Sequence, residues 1–300
     1  MYYKHSGRFS LGGLIVSLLV GSAGALVLAA IYSAGIILIP EVHLAAFATI
    51  AFGGLIGVAV GYGLVWGKVR NERVALAAAA TGSCLALYGS WAMWVHNILK
   101  IEHVRTANWL KIASHPGILW KLIRFINHYG TWGFDKGSPT TGWMLWLIWT
   151  SEAATVIGLG MLAAWGILHL HPFCETCGGW CQRATKILLS PPANVAQLKA
   201  QLEVNDLRAL ENLGPGSKNA DHLTVALHSC ESCRQFHTMS LTHFTIQRNK
   251  YGKQTIQNKT IMKHFLIDQG RADAMRLFSE RTAQAANLAP KANAAAAGKQ

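Results

Sequence analysis

The sequence predicts a membrane α-helical bundle of four transmembrane helices followed by a small cytoplasmic α+β domain of zinc-ribbon type. Three observations carry that prediction. Four apolar runs are each long enough to cross a hydrocarbon core. The first 169 residues hold only 11 Lys and Arg and 5 Asp and Glu, too few to clothe a soluble surface. Five of the six cysteines follow the last run, four of them in two C-x-x-C pairs. A fully soluble chain and a disordered one are both excluded by this composition.

The runs are Leu11–Ile37, Leu44–Trp66, Val74–Leu99 and Trp143–Leu170. Ala23-Gly24-Ala25 mimics a signal-peptide cleavage site, but the apolar stretch continues well past it. An uncleaved first span is expected. Lys4 and Arg8 precede it, and Lys68, Arg70 and Arg73 follow the second span, whereas the loop around Pro40 carries only Glu41 and His43. Basic residues collect on the cytoplasmic side, which predicts both termini inside a bacterial inner membrane. The net charge of +13 is read first as topology and second as contact with anionic lipid. Nucleic acid is not favoured, because the basic residues are spread without interleaved aromatics.

Small residues recur at every fourth position: Ser17, Gly21, Ala25 and Ala29 in the first span, Gly53, Gly57 and Gly61 in the second, Ala78, Gly82, Ala86 and Ser90 in the third. That spacing puts them on one helix face, where backbones approach closely. The packing they imply lies within one chain or between chains, as a homo-oligomer. The segment 100–142 is predicted outside, although it holds Lys100, Arg105, Lys111, Lys121, Arg124 and Lys136. Ile118, Leu119, Leu122, Ile123, Phe125 and Ile126 share a broad helical face flanked by Trp109, Trp120 and Trp132. Such a helix either lies in the membrane interface or caps the bundle. Gly130, Gly133 and Gly137 with Ser138-Pro139 then turn the chain into the last span.

Glu152 stands nine residues inside the fourth span, roughly 13 Å deep at ~1.5 Å per residue. A carboxylate there is either a polar clamp between helices or a proton- or ion-handling group. Tyr32, Thr49, Tyr88 and Ser90 match its depth.

Metal chemistry is read from His169-Leu-His171-Pro-Phe-Cys174-Glu-Thr-Cys177-Gly-Gly-Trp-Cys181 and Cys230-Glu-Ser-Cys233. Each C-x-x-C turn offers two sulfurs, and a closed structural site asks for four. Cys174, Cys177, Cys230 and Cys233 are the expected ligands. Zn²⁺ is the default ion and iron the lesser choice. Neither pair is followed by His, which sets c-type haem attachment aside. Cys181 is a fifth ligand candidate or a free thiol, His169, His171, His228 and His237 are possible substitutes, and Cys84 is expected as a small core residue.

Around the pairs, helices are predicted over 194–203, 205–213 and 268–282. Strands are predicted over 223–227, 236–247 and 254–267, the last two joined by a turn at Lys250-Tyr251-Gly252. Two crossed hairpins stapled by metal would then form residues 171–282, with a disordered tail over 283–300. No P-loop, H-E-x-x-H, G-x-S-x-G or kinase signature occurs. The expected function is a non-enzymatic membrane protein anchoring a zinc-binding domain for protein interaction or for metal or redox sensing. The competing classes are a membrane thiol–disulfide oxidoreductase using Cys174, Cys177 and Cys181, and proton- or ion-coupled transport at Glu152. Four spans with C-x-x-C are similar to quinone-linked thiol oxidases in span count and one short motif. There the reactive pairs sit at the external face, so that comparison is not adopted.

Overall fold

The computed structural model describes residues 1–39, 42–104, 108–131, 139–248 and 254–282. The loop at Pro40, Arg105, Trp132, Lys136, most of the glycine turn before the fourth span, the turn at Lys250-Tyr251-Gly252 and the tail lie outside them. The chain forms two compact units, Ser6–Leu170 and a second made of Met1–His5 with the chain from His171 on.

The first unit is helical: α1 (Leu11–Ile37), α2 (Val42–Trp66), α3 (Glu72–Ile101), α4 (Trp109–Ala113), α5 (Pro116–Tyr129) and α6 (Gly142–Leu168). Four of these, α1, α2, α3 and α6, are long and apolar enough to cross a membrane. Ser10 caps α1 by accepting from the Gly13 amide, and Asn71 caps α3 by accepting from the Val74 amide. The small-residue stripes do the packing inside the chain. Ser17, Gly21, Ala25 and Ala29 are the buried line of α1, and Ala78, Gly82, Ala86 and Ser90 are buried on α3. Gly53, Gly57 and Gly61 of α2 meet Val156, Gly160 and Ile167 of α6, one helical turn after another. Cys84 lies between the buried positions of α3 and is exposed, not a core residue. The helical period that turns Gly82, Ser83 and Ala86 inward turns residue 84 out.

The segment after α3 packs as a cap on the bundle. Leu119 and Ile123 of α5 pack with Ile112, Leu145 and Trp149 in one apolar cluster. Asn127 is buried beside them and donates from Nδ2 to the Gly142 carbonyl (3.0 Å). Ile118, Phe125 and Tyr129 stay exposed on a second apolar stripe. Tyr88 of α3 ties this cap down through a hydrogen bond from its hydroxyl to the Ala113 carbonyl (2.5 Å).

The second unit is α+β. A two-stranded hairpin pairs β1 (Phe173–Cys174) with β2 (Gly179–Trp180). A four-stranded antiparallel meander follows, in the order β3 (Gln182–Leu189), β4 (His222–Ser229), β5 (His237–Arg248) and β6 (Gln254–Ile267). Helices α7 (Val195–Glu203) and α8 (Arg208–Glu211) lie between β3 and β4, and a last helix, α9, covers 269–282. This is one meander with a small hairpin rather than two crossed hairpins. The reason is β3, which the sequence does not announce. Once β3 pairs with β4 along its whole length, the second knuckle is carried by the same sheet as the strand leaving the first. The helix expected over 205–213 is shorter because Asn205 has positive φ (+70°), ending one helix before α8 begins.

Alternation sends Ile187, Leu189, Leu223, Val225, Leu227, Met239 and Leu241 to one face. There they meet Leu198, Leu202 and Leu210 from α7 and α8, and Ala272 and Met275 from α9. The chain's own start completes the unit. Tyr2 bridges to Phe265, and the Tyr3 amide donates to the His264 carbonyl (2.9 Å). The Tyr3 hydroxyl accepts from the Phe173 amide (3.0 Å), and its ring stands edge-on to Phe236 at 5.6 Å. Tyr3→Ala should therefore destabilise this unit by about 2 kcal/mol, through lost ring packing and an orphaned amide. Tyr3→Phe should cost roughly half of that. Thermal melting of the purified chain followed by β-sheet circular dichroism reads the difference. Equal melting for wild type and both variants would show that the N-terminal segment contributes nothing.

Candidate metal centre

Each knuckle is a tight turn closed by its own backbone. In the first, the Gly178 amide donates to the Cys174 carbonyl (2.9 Å); in the second, the Arg234 amide donates to the Cys230 carbonyl (3.1 Å). The residue after the second cysteine has left-handed backbone in both, φ +63° at Gly178 and +53° at Arg234. Glycine adopts that region freely, whereas a residue with Cβ is strained there. Arg234→Gly should therefore stabilise the unit by about 1 kcal/mol. A lower melting temperature for that variant would mean that the arginine side chain outweighs its backbone.

The sheet brings the two turns together. Gln182 pairs with Ser229 at the end of the β3–β4 ladder, so the residues just beyond, Cys181 and Cys230, leave the sheet side by side. The Cys181 amide donates to the Pro172 carbonyl (2.8 Å), and the Cys230 amide to the Phe236 carbonyl (3.0 Å). These bonds fold each knuckle back over the sheet end.

The sulfurs of Cys174, Cys177, Cys230 and Cys233 all lie within 4.8 Å of one another, a group that could hold a metal ion. Cys174 and Cys233 are 3.8 Å apart, sulfur to sulfur. A tetrahedral ion with metal–sulfur bonds of about 2.3 Å would put its ligands ~3.8 Å apart, so the donor set fits such an ion. Cys174 and Cys230 are buried, while Cys177 and Cys233 lie nearer the surface. Phe173, Trp180 and Tyr3 form a connected aromatic wall next to Phe236, which packs on the sulfurs.

Four thiols this close cannot all ionise without a compensating cation. Burial pushes Cys174 up. Contact with Cys233 pushes Cys177 up to about 12. Cys233 is drawn down to about 6 by the Gln235 amide, which donates to its sulfur at 3.5 Å. A divalent ion bound there would supply the missing positive charge and allow all four to be thiolates.

The other sequence candidates do not join the four. Cys181 is buried beside them, and burial followed by the neighbouring cysteines pushes its thiol up to about 12. His237 is engaged elsewhere, through Nδ1 with the Ser229 hydroxyl (2.8 Å) and through Nε2 with the Arg234 carbonyl (2.6 Å). His169 ends α6 in the first unit, 3.1 Å from the Glu72 carboxylate. His171 and His228 form a file with His264, ring centroids 6.3 and 5.1 Å apart. Burial lowers the pKa of both, that of His228 to about 4. Sequence reasoning missed His264, which sits at positive φ (+51°) where the β5–β6 register shifts. No periodic signal marks such a bulge.

Glu152 lies half-buried on α6, in the other unit. Of the groups matched to its depth, Tyr32 and Thr49 hydrogen-bond each other (3.0 Å). Tyr88 and Ser90 instead donate to the carbonyls of Ala113 and Leu87.

No family model matches the chain, and neither a curated protein nor a solved structure matches it.

Proposed function

We propose that the four long helices anchor a zinc-binding domain at the cytoplasmic face of a bacterial inner membrane. The domain binds a partner protein or senses metal or redox state, and no reaction is catalysed. The observation that carries this is the four-sulfur group at the end of one sheet. A closed set of four thiolates favours Zn²⁺ over iron as the default occupant and leaves no open position for substrate. Cys181, the thiol an oxidoreductase would need as its third cysteine, is buried at 1% exposure. Beside the second knuckle lies a cavity of about 510 Å³ whose wall includes Arg234, Arg276 and Gln182. Arg276 is held there by the Asp273 carboxylate (2.7 Å) and the Ser229 hydroxyl (3.1 Å). With Glu231 on the same wall and Arg276 already paired to Asp273, the cavity offers both signs of charge to a partner protein.

An even number of crossings has support beyond helix length. Met1–His5 belongs to the same unit as the cysteines. Both must lie on one side of any membrane the helices cross, which is what four crossings require. Elemental analysis of the purified chain beside free-thiol counting tests the proposal. One zinc per chain is expected, with reporter fusions at both termini giving a cytoplasmic signal. A metal-free folded chain with a Cys174–Cys177 disulfide would overturn it in favour of the redox enzyme.

A further inference from the structure

The basic residues of the cap are the ones that loop charge does not explain. The described residues 108–131 contain Lys111, Lys121 and Arg124 and no Asp or Glu. On α5, Lys121, Arg124 and His128 follow at spacings of three and four, so they share a face opposite buried Leu119, Ile123 and Asn127. Where that face meets the start of α6 there is a cavity of about 820 Å³. Lys121, Arg124 and His128 line it, with Phe125 and Trp146 as its apolar wall and Thr141 and Gly142 at its end. Those last two open a helix of 27 residues whose cap, Thr141, makes no side-chain hydrogen bond to the first turn. The positive end of that helix adds to the cationic side chains.

The cavity is also joined to apolar surface of the right kind. Trp146 packs against Trp120 (5.3 Å) and Trp149 (5.3 Å), within the apolar cluster of the bundle. Phe125, 60% exposed, continues outward with Ile118 and Tyr129 along α5. Cationic side chains above an exposed aromatic and aliphatic stripe fit a ligand with an anionic head and a long apolar tail. We propose that this cavity binds the phosphate headgroup of an anionic phospholipid, with Lys121 and Arg124 on the phosphate oxygens and the acyl chains along Phe125 and Trp146. The inference rests on the membrane reading of the four long helices. It also accounts for the positive charge of a segment placed on the external side, since lipid phosphates neutralise it there.

Native mass spectrometry of the detergent-solubilised full chain, titrated with phosphatidylglycerol or phosphatidylcholine, tests it. Phosphatidylglycerol should be retained at about one per chain, with about tenfold preference over phosphatidylcholine, as expected for two basic groups near one phosphate. Lys121→Gln with Arg124→Gln should abolish the preference. Lys121→Arg with Arg124→Lys should keep it, as should Lys111→Gln, whose position lies outside the cavity. Excess inorganic phosphate should not displace the lipid. Displacement by phosphate would assign the site to a free anion, and equal retention of both lipids or an unchanged double Gln variant would overturn the lipid site. Alkaline carbonate washing of membranes separates the two readings. Release of the wild-type chain would overturn the membrane reading and this inference with it. A chain that resists washing but lacks lipid preference would overturn this inference alone.

Discussion

Serine at any one of Cys174, Cys177, Cys230 or Cys233 should reduce bound metal from about one ion per chain to near zero and unfold the unit that carries it. A structural zinc contributes on the order of 10 kcal/mol in small metal-bound domains. That exceeds what the single-sided core around Leu198, Leu202, Leu223 and Leu227 can spare. Limited proteolysis should then cut within residues 172–282 while the helices of the first unit survive. Cys84→Ser is the matched control, because that thiol is exposed on α3 far in sequence from the knuckles. Cys181→Ser should leave the metal in place, since its sulfur is outside the set. Acidification should mimic the ligand variants. Cys174 and Cys177 hold their protons more tightly than a free thiol when no ion is bound, so binding releases protons and affinity falls with falling pH. A metal content that is indifferent to all four serine variants would refute the ligand set.

Gly57→Val should be severely damaging where α2 packs on α6, lowering stability by about 3 kcal/mol or more. A Cβ at Gly57 would overlap the Gly160 carbonyl oxygen and come within 2.7 Å of the Ala163 Cβ. Backbone of α6 cannot rotate away as a side chain would, so α2 and α6 must separate along their contact. Gly54→Val adds the same volume to the same helix at a position with open space around it. It should melt within a few tenths of a kcal/mol of wild type, apart from its altered helix propensity. Melting of both variants in one detergent gives the comparison. Equal melting would mean that the close approach at Gly57 is not what holds these helices together.

What the sequence disclosed and what it withheld divide along a physical line. The long helices are legible because every hydrogen bond and most of the apolar signal is local to a run such as Leu11–Ile37. The cysteine pairs are legible because a knuckle is a four-residue object. Strand β3 was not, because Gln182, Arg183, Thr185 and Lys186 are polar and only Ile187 and Leu189 turn inward clearly. Its existence depends on β4, more than 30 residues further on. The strained Arg234 could have been anticipated from Gly178, since the two knuckles share a geometry in which one uses glycine and the other does not. The histidine file of His171, His228 and His264 gathers residues from three distant stretches, and no spacing rule reaches that far.

The pairing of Tyr2 with Phe265 has a consequence for how the molecule is made. Residues that precede α1 dock on β6, which follows every transmembrane-length helix and every other strand in chain order. Met1–His5 must therefore wait, tethered by α1, through translation of every other helix and strand. Docking of these five residues is a closing step of assembly rather than an early one, set by chain order and not by the strength of the contact. A fusion at Met1 would be carried through that whole interval, and the 87% exposure of Met1 leaves it open to such an extension.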